Sequence, residues 1–294
     1  MGVDQKARPG AIANGGNGAS GGHSLHGASA EAHAEAVNRS IRFMRQRLGE
    51  SQELRNMAEV AFLSPFHFHR VFRAATGVPP GRFLTALRMA TAKSLLLETE
   101  LSATSVSTAV GYSSFGTFTT QFTRLVGVPP GRFRGLVARM GDLRAGDLVD
   151  VGLPSPPRGG VVRGWVSGRP DGSDGLTLVG MFTSSIPQER PLSCSLTTTG
   201  GPVELCCGQL NGSYAMLAMS VRRQASLRDV LVEDRSAGLY VGNHAGPVRI
   251  RPDGATDRFA IQLRPLRFTD PPVLGAFPLL LLAGQYDFRV AAQG

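Results

Sequence analysis

Four side chains between residues 66 and 73 have the chemistry and the spacing of a surface that reads nucleic acid. Phe66, His69, Arg70 and Arg73 recur at helical intervals, so they share one face of a helix. An arginine can donate two parallel hydrogen bonds to guanine O6 and N7. A histidine can donate or accept at a base edge, and an aromatic ring can pack on a thymine methyl group or a sugar. The alternative is that both arginines only belong to a solvated helix face.

The residues around these four predict the helix that positions them. Ser64 followed by Pro65 is typical of an N-cap and a first helical position. Gly77 favours a left-handed C-terminal residue, and Pro79-Pro80 end this helix and begin the next. The predicted inner face consists of apolar side chains at helical spacing: Phe68, Val71, Phe72 and Ala75.

This arrangement occurs twice, because GVPPGRF stands at residues 77–83 and again at 127–133. At this offset of 50 residues Phe68 matches Phe118 and Phe72 matches Phe122. The match predicts two copies of a helix-turn-helix unit, joined by one connecting helix. The heptapeptide itself is interpreted as structural: its glycine ends one helix and its two prolines begin the next. In the second unit the positions predicted to contact bases are Gly116 (with Phe115 as the alternative), Thr119 and Thr120. Because no arginine stands there, the second unit is expected to be the weaker reader.

The charge distribution favours a polyanionic partner for the first half only. The formal net charge is +9, and residues 31–145 hold 15 Lys+Arg against 8 Asp+Glu, whereas residues 146–294 hold 14 against 13. Almost all of the cations are arginine, which suits phosphate contacts but would also follow from a GC-rich genome. The residues predicted to contact phosphates are Arg73, Arg82, Thr123, Arg124 and Arg132.

No pattern typical of an enzyme or a metal centre stands in the sequence, so we expect no catalytic residues, no metal and no cofactor. His67 and His69 are two residues apart and point to different sides of a helix, and His67 is expected to pack or cap. Two further histidines, His23 and His26, lie in a Gly-rich segment where solvation is the simpler interpretation. The three cysteines form no C-x-x-C pair and predict free thiols in a reducing cytoplasm.

The periodicity divides the chain into a helical half and a β half. Residues 1–30 predict a disordered tail and residues 146–158 a linker. Between them, residues 31–145 predict helices from about 31 to 48, 54 to 61, 64 to 76, 80 to 98, 104 to 110, 114 to 126 and 130 to 140. Residues 159–294 predict about eight short strands with turn signals between them, typical of an antiparallel β-sandwich, and a short helix in RRQASLRDVLV. PLLLLAG is too short to span a membrane, and the N-terminus carries no apolar signal segment.

The segment SPFHFHRVFRAATGVPPGRFLTALRMATAKSLLLE, followed by VGYSSFGTFTTQFTRLVGVPPGRFR, resembles the AraC/XylS family of bacterial transcription regulators. The resemblance covers residues 35–140. It implies a DNA-binding domain of seven helices whose two recognition helices are separated by about one DNA turn (~34 Å). It also implies that the positions of Phe66, His69, Arg70, Gly116 and Thr120 face bases.

The sequence departs from that family at three points. Phe62 stands where the first turn usually has glycine, and Thr120 stands where arginine is common. The order of the domains is reversed, since most relatives place the sensing domain before the DNA-binding domain. The β half weakly resembles carboxypeptidase-regulatory or transthyretin-like modules, and Trp165, Tyr214 and Tyr240 are there more simply explained as core than as a ligand pocket.

The sequence therefore predicts a cytoplasmic, non-enzymatic transcription regulator that binds double-stranded DNA through residues 64–76 and 114–126. A small-molecule effector, RNA polymerase and self-assembly through the β half stay open as further interactions, and a membrane is not expected. The alternative is a β-sandwich that binds a ligand or a protein and is tethered to DNA by a largely non-specific helical half.

Overall fold

The structure, a computed structural model, describes residues 21–151, 159–186, 188, 190–233 and 237–283. A helical half is followed by a half rich in β-sheet, which confirms the predicted order of fold classes. The helices are α1 (Gly21–Gln46), α2 (Leu54–Val60), α3 (Pro65–Thr76), α4 (Pro80–Glu98), α5 (Ala103–Ala109), α6 (Phe115–Val126), α7 (Pro130–Met140), α8 (Asp147–Val151), α9 (Leu227–Leu231) and α10 (Phe277–Leu282). The strands are β1 (Gly160–Val166), β2 (Gly175–Phe182), β3 (Ser193–Thr197), β4 (Gly201–Gly208), β5 (Gly212–Arg222), β6 (Tyr240–Asn243), β7 (Val248–Ile250), β8 (Phe259–Ile261) and β9 (Arg264–Pro265).

The helical half consists of two helix-turn-helix units joined by α4. In unit one, defined as α2 and α3 with α1 packed on them, the apolar faces meet in a core that includes Ile41, Met57, Phe68 and Phe72. In unit two, defined as α5 and α6 with α7 packed on them, Val106, Phe118, Phe122 and Phe133 occupy the core. Because α4 contributes side chains to both cores, it fixes the two units to one another.

The β half contains two sheets. One has the strand order β4-β1-β8 and the other β3-β2-β5-β6-β9, with β7 also paired to β5. Alternate side chains of both sheets share one apolar core. All eight predicted strands are present, and the predicted short helix is α9. The predicted purely antiparallel arrangement is wrong at one place, because β1 pairs in parallel with β8.

The two halves also share a core. Apolar side chains of α9 and α10, together with Leu176 and Val221 of the second sheet, pack in the same cluster as those of α6 and α7. The main-chain N–H of Ala276, which precedes α10, donates to the carbonyl oxygen of Val126 at the end of α6 (2.9 Å). The β half therefore packs directly on unit two.

Two of the segments predicted to be irregular are helical in part. The prediction of a disordered tail is wrong for residues 21–30, because α1 begins at Gly21. A helix nucleated by the packed residues Val37–Met44 extends at little cost per added residue. The predicted linker contains α8, since buried Leu148 joins the shared core and Asp147 Oδ2 accepts a hydrogen bond from the Arg144 N–H (2.8 Å). Residues 1–20 and 152–158 lie outside the described part.

Candidate nucleic-acid interface

The candidate interface is the exposed face of α3, and its helix is defined at both ends as the sequence predicts. The main-chain N–H of His67 donates to Ser64 Oγ (3.4 Å), which satisfies one of the free donors of the first turn. At the other end Gly77 adopts a φ of 76°, and its N–H donates to the Arg73 carbonyl oxygen (2.9 Å). Pro80 then opens α4 at its first position.

Aromatic packing holds α3 against its unit. The Phe68 and Phe72 rings are fully buried with centroids 5.4 Å apart, and the Phe72 ring meets the Phe83 ring edge-on at 5.4 Å. Because these three rings pack the inner face of α3 against its unit, the orientation of the outer face of α3 is fixed as well. His67 packs its ring against that of His33 at 5.4 Å, which confirms a packing position for this histidine.

The exposed face of α3 carries the predicted contact residues. The Phe66 ring is 83% exposed, an unusual position for an aromatic side chain that no apolar neighbour covers. Arg70 and Arg73 are exposed, and His69 is half-buried. Within the described residues, no carboxylate lies within 4.0 Å of Arg70, Arg73 or Arg82. The exposed face of α3 therefore presents Arg70 and Arg73 as cations that are available to an anion.

Unit two repeats the framework of α3 in α6. The main-chain N–H of Thr117 donates to Ser114 Oγ (3.4 Å), and Gly127 ends the helix with a φ of 98°. The centroids of the buried Phe118 and Phe122 rings are 5.6 Å apart, and Phe133 takes the place of Phe83. In each unit the glycine of GVPPGRF ends one helix and the second proline begins the next, which confirms the interpretation of the heptapeptide as a structural element.

The outer face of α6 is chemically different from that of α3. Gly116 and Thr120 are exposed, but Thr119 is half-buried, and its hydroxyl oxygen is buried without a hydrogen-bond partner in the described part of the chain. Arg124 is exposed and donates through Nη2 to Gln121 Oε1 (2.9 Å), while Thr123 is half-buried. The face holds no arginine at the position of Arg70, so its contribution to base reading stays a prediction.

The turns of the two units have the same hydrogen bonds although their sequences differ. In unit one Phe62 has a φ of 56°, and the Phe62 and Leu63 N–H groups donate to the carbonyl oxygens of Glu59 and Ala58 (both 3.0 Å). In unit two Gly111 has a φ of 86°, and Gly111 and Tyr112 donate to Thr108 and Ser107 (both 3.0 Å). Phe62 therefore occupies the position that Gly111 holds in the turn of unit two, in agreement with the departure from the family noted in the sequence.

Two arginines of the helical half are committed to structure rather than to the exposed face. Arg88 donates to the carbonyl oxygens of Leu48 (3.1 Å) and Glu50 (2.8 Å), beyond the end of α1, and burial lowers the pKa of its guanidinium. Arg134 donates to Leu96 (2.8 Å) and Leu101 (2.5 Å) at the end of α4. Arg82 and Arg132, at the second position after the prolines of each repeat, are exposed.

The loop between β2 and β3 reaches α3 from the β half, which sequence reasoning missed. Ile186 is buried in the core of unit one, and Ser185 Oγ donates to the carbonyl oxygen of Gly77 (3.4 Å). Its sequence, FTSSIP, has no periodicity that would mark it as a contact segment. The β half therefore contacts unit one as well as unit two.

Comparison with known proteins shows that the helical half is similar to helix-turn-helix proteins. Residues 57–135 match the model of a family described as a helix-turn-helix domain. Over 95 residues the chain is 32% identical to YobQ, an uncharacterised HTH-type transcriptional regulator of Bacillus subtilis (strain 168), in a match that covers 32% of this chain and 39% of YobQ. It is also 32% identical, over 90 residues, to an HTH-type transcriptional regulator of Mycobacterium tuberculosis, which covers 31% of this chain and 35% of that protein.

A solved structure gives a match of the same extent. The DNA-binding domain of AdpA, a global transcriptional factor solved in complex with a target DNA, is 28% identical; the match covers 37% of this chain and 95% of that chain, with a TM-score of 0.34. The chain thus carries a helix-turn-helix domain in its helical half. The assignment of that domain to the AraC/XylS family stays a prediction. The chain spans less than two fifths of the length of the two curated relatives, and the family match ends at residue 135.

In the part of the chain that the structure describes, no helix is both long and apolar enough to cross a bilayer. The resemblance of the β half to carboxypeptidase-regulatory or transthyretin-like modules stays a prediction.

Proposed function

We propose that this chain is a sequence-specific DNA-binding regulator of transcription, and that α3 and α6 are its two recognition helices. The observation that carries the proposal is the duplicated framework: two helices with the same caps and buried phenylalanine rings, each exposing its outer face. In a helix-turn-helix the second helix of the unit enters the major groove and its N-terminal residues contact base edges. The similarity to HTH-type transcriptional regulators supports this assignment.

The chemistry of the two faces suggests a division of labour. Arg70 is exposed and free of carboxylates among the described residues, so it can donate to guanine O6 and N7; Phe66 and His69 flank it. Thr120 and Gly116 offer a hydroxyl group and a close backbone approach, which give weaker discrimination. We therefore assign most of the sequence preference to α3, and we assign phosphate contacts to Arg73, Arg82, Thr123, Arg124 and Arg132.

This proposal predicts unequal effects of two substitutions. The preferred site would first be selected from random double-stranded DNA with the full chain. We expect Arg70→Ala to lower the preference for that site over a scrambled site by about 1–3 kcal/mol, because one bidentate contact to a base is lost. Thr120→Ala should cost less. Competition binding at a fixed salt concentration measures both values.

Footprinting decides between this function and non-specific tethering. A discrete protected site, with affinity that falls steeply as salt rises, supports sequence-specific binding. Protection without a defined site would favour the alternative, in which the helical half only attaches the β half to DNA. Equal losses of preference for Arg70→Ala and Thr120→Ala would contradict the assignment of α3 as the main reader.

A further inference from the structure

We propose that a cavity between the two halves binds a small, mostly apolar molecule that carries one anionic group. The cavity has a volume of about 660 Å³ and lies between the end of α3 and the outer face of the second sheet. We call it the interdomain cavity and define it by Arg73 and Gly77 of unit one, Leu217 and Val241 of the sheet, and Phe277 of α10. Its volume lies within the range of about 300–1,000 Å³ that is typical of small-molecule sites.

The apolar lining follows from the alternation of side chains in the sheet. In β5, Met216 and Ala218 point into the core of the β half, so Leu217 and Met219 must face the opposite side. Leu178 and Phe182 of β2 and Val241 of β6 lie on that same side and line the cavity. A continuous apolar floor of this kind would contact the hydrocarbon part of a ligand.

The charged residues at the rim of the interdomain cavity determine which charge the polar group of a ligand should carry. Arg264 and Asp270 neutralise one another through two short hydrogen bonds (2.6 and 2.7 Å). The His244 ring is engaged through Nδ1 with the main chain of Ala260 (3.1 Å). Arg73 is exposed, and no carboxylate of the described residues pairs with it. Among the described residues of the rim, Arg73 is thus the available cation, and it suits a carboxylate, sulfonate or phosphate.

The position of the cavity connects it to both helix-turn-helix units. One wall is the end of α3, and another is the segment from Val273 to Pro278, which is attached to α6 through the hydrogen bond from Ala276 to Val126 (2.9 Å). Arg73 also belongs to the proposed phosphate contacts. An anion held at Arg73 would therefore compete with a DNA phosphate, and this regulatory step rests on the proposed function.

Binding to the cavity is tested with the full chain in the absence of DNA. The probes are 8-anilinonaphthalene-1-sulfonate and its neutral analogue N-phenyl-1-naphthylamine, which lacks the sulfonate. We expect saturable binding of both, followed by fluorescence. Arg73→Gln should weaken binding of the sulfonate by about tenfold, as expected for a hydrogen bond to a charged group, and leave the neutral probe unchanged.

Two further variants complete this test. Leu217→Trp places a large ring in the cavity and should abolish binding of both probes. Arg163→Gln, on the exposed side of β1, is the matched control and should change neither. Because Arg73 is exposed, the Arg73→Gln variant is expected to fold. If this variant binds the sulfonate as tightly as the original chain does, the proposal is overturned. Binding of both probes that survives Leu217→Trp overturns it as well.

The regulatory step has its own readout. Saturating sulfonate probe should lower the affinity for the selected DNA site, and the slope of log K against log salt should become shallower by about 0.9, as for the loss of one phosphate contact. Unchanged DNA affinity with the probe bound contradicts the coupling. A chain that binds the probe as predicted but binds no DNA at all would contradict the proposed function, while the cavity assignment would stand on the first test.

Discussion

At the scale of single residues, the turns before α3 and α6 place a phenylalanine and a glycine in the same left-handed conformation, which is strained only for the phenylalanine. Phe62 and Gly111 both have a positive φ, 56° and 86°, and both turns close with equivalent hydrogen bonds. A non-glycine residue in the left-handed region costs about 1–2 kcal/mol. The Phe62 ring is 82% exposed and lies 5.1 Å from the Arg39 guanidinium, which offsets part of that cost. Unit one thus tolerates a residue type that unit two cannot accept.

The environment of Gly111 explains why. A Cβ atom there would lie 2.5 Å from the Leu48 carbonyl oxygen and 2.8 Å from Arg88 Nη2. We expect Gly111→Ala to lower the free energy of unfolding by about 2–4 kcal/mol, because a steric clash with backbone adds to the left-handed strain. Urea-induced unfolding of the full chain, followed by circular dichroism, measures the change.

The matched control is Gly77→Ala. Gly77 has a similar φ of 76°, but a Cβ atom there would meet no atom within 4 Å. This variant should lose only about 1–2 kcal/mol, the cost of the left-handed conformation alone. Equal losses for the two variants would show that the contact with Leu48 and Arg88 relaxes freely.

At the scale of elements, Arg88 and Arg134 each attach their helix to main-chain carbonyl groups at or just beyond the end of an earlier helix. Arg88 of α4 binds the residues that follow α1, and Arg134 of α7 binds Leu96 and Leu101 around the end of α4. Leu96 lies in the last turn of α4, whose carbonyl groups have no partner within the helix, so the Arg134 guanidinium satisfies one of them and adds a favourable charge near the C-terminus. These contacts fix the angle at which successive helices meet.

We expect Arg134→Met to lower the free energy of unfolding by about 1–3 kcal/mol, since it leaves the Leu96 and Leu101 carbonyl oxygens without their donor. Arg134→Lys should recover only part of the loss, because an ammonium group cannot span both carbonyls as the fork does. The control is Arg139→Met on the same helix, an exposed position where a change below about 0.5 kcal/mol is expected. A loss for Arg139→Met as large as that for Arg134→Met would contradict this role, and denaturant unfolding measures all three.

The elements that local chemistry determines were predictable from the sequence. Ser64, Gly77 and the Pro-Pro pairs define their helix ends through short-range capping, and the predicted bounds of α4 and α7 agree with the structure. The parallel pairing of β1 with β8 and the packing of α10 on α7 were not predictable, because both depend on residues far apart in the chain. The same applies at the candidate interface: periodicity places Thr119 near the outer face, whereas the buried position of its hydroxyl oxygen depends on tertiary packing.

At the scale of the whole molecule, the halves are joined by a charged group that water does not reach. Lys93 of α4 is buried, and its Nζ donates to the carbonyl oxygen of Val273 (2.9 Å). The N–H of the same residue, Val273, donates to Glu233 Oε1. Burial lowers the pKa of Lys93 to about 8, partly offset by the charge of Glu233. Arg45 and Asp270 complete the set of charged groups around Glu233.

This position makes the stability of the molecule depend on pH. Between pH 8 and the unperturbed pKa of lysine, about 10.4, the unfolded chain binds the Lys93 proton and the folded chain does not. The unfolded state then binds more protons, so the contribution of Lys93 to the free energy of unfolding increases with pH, by about 1.4 kcal/mol per pH unit. Burial raises the pKa of the thiols of Cys194 and Cys207, which acts in the opposite direction over part of the same range.

A comparison of variants isolates the lysine. We expect the difference in free energy of unfolding between the original chain and Lys93→Met to increase by about 2 kcal/mol from pH 8 to pH 9.5, since the cysteines contribute equally to both proteins. In Glu233→Gln the pKa of Lys93 should fall further, because the carboxylate that raises it is lost, and the increase should begin at a lower pH. Urea unfolding at a series of pH values measures these curves. A difference that is independent of pH would mean that Lys93 keeps the pKa of an exposed lysine, and that the contact between α4 and Val273 stays open to water.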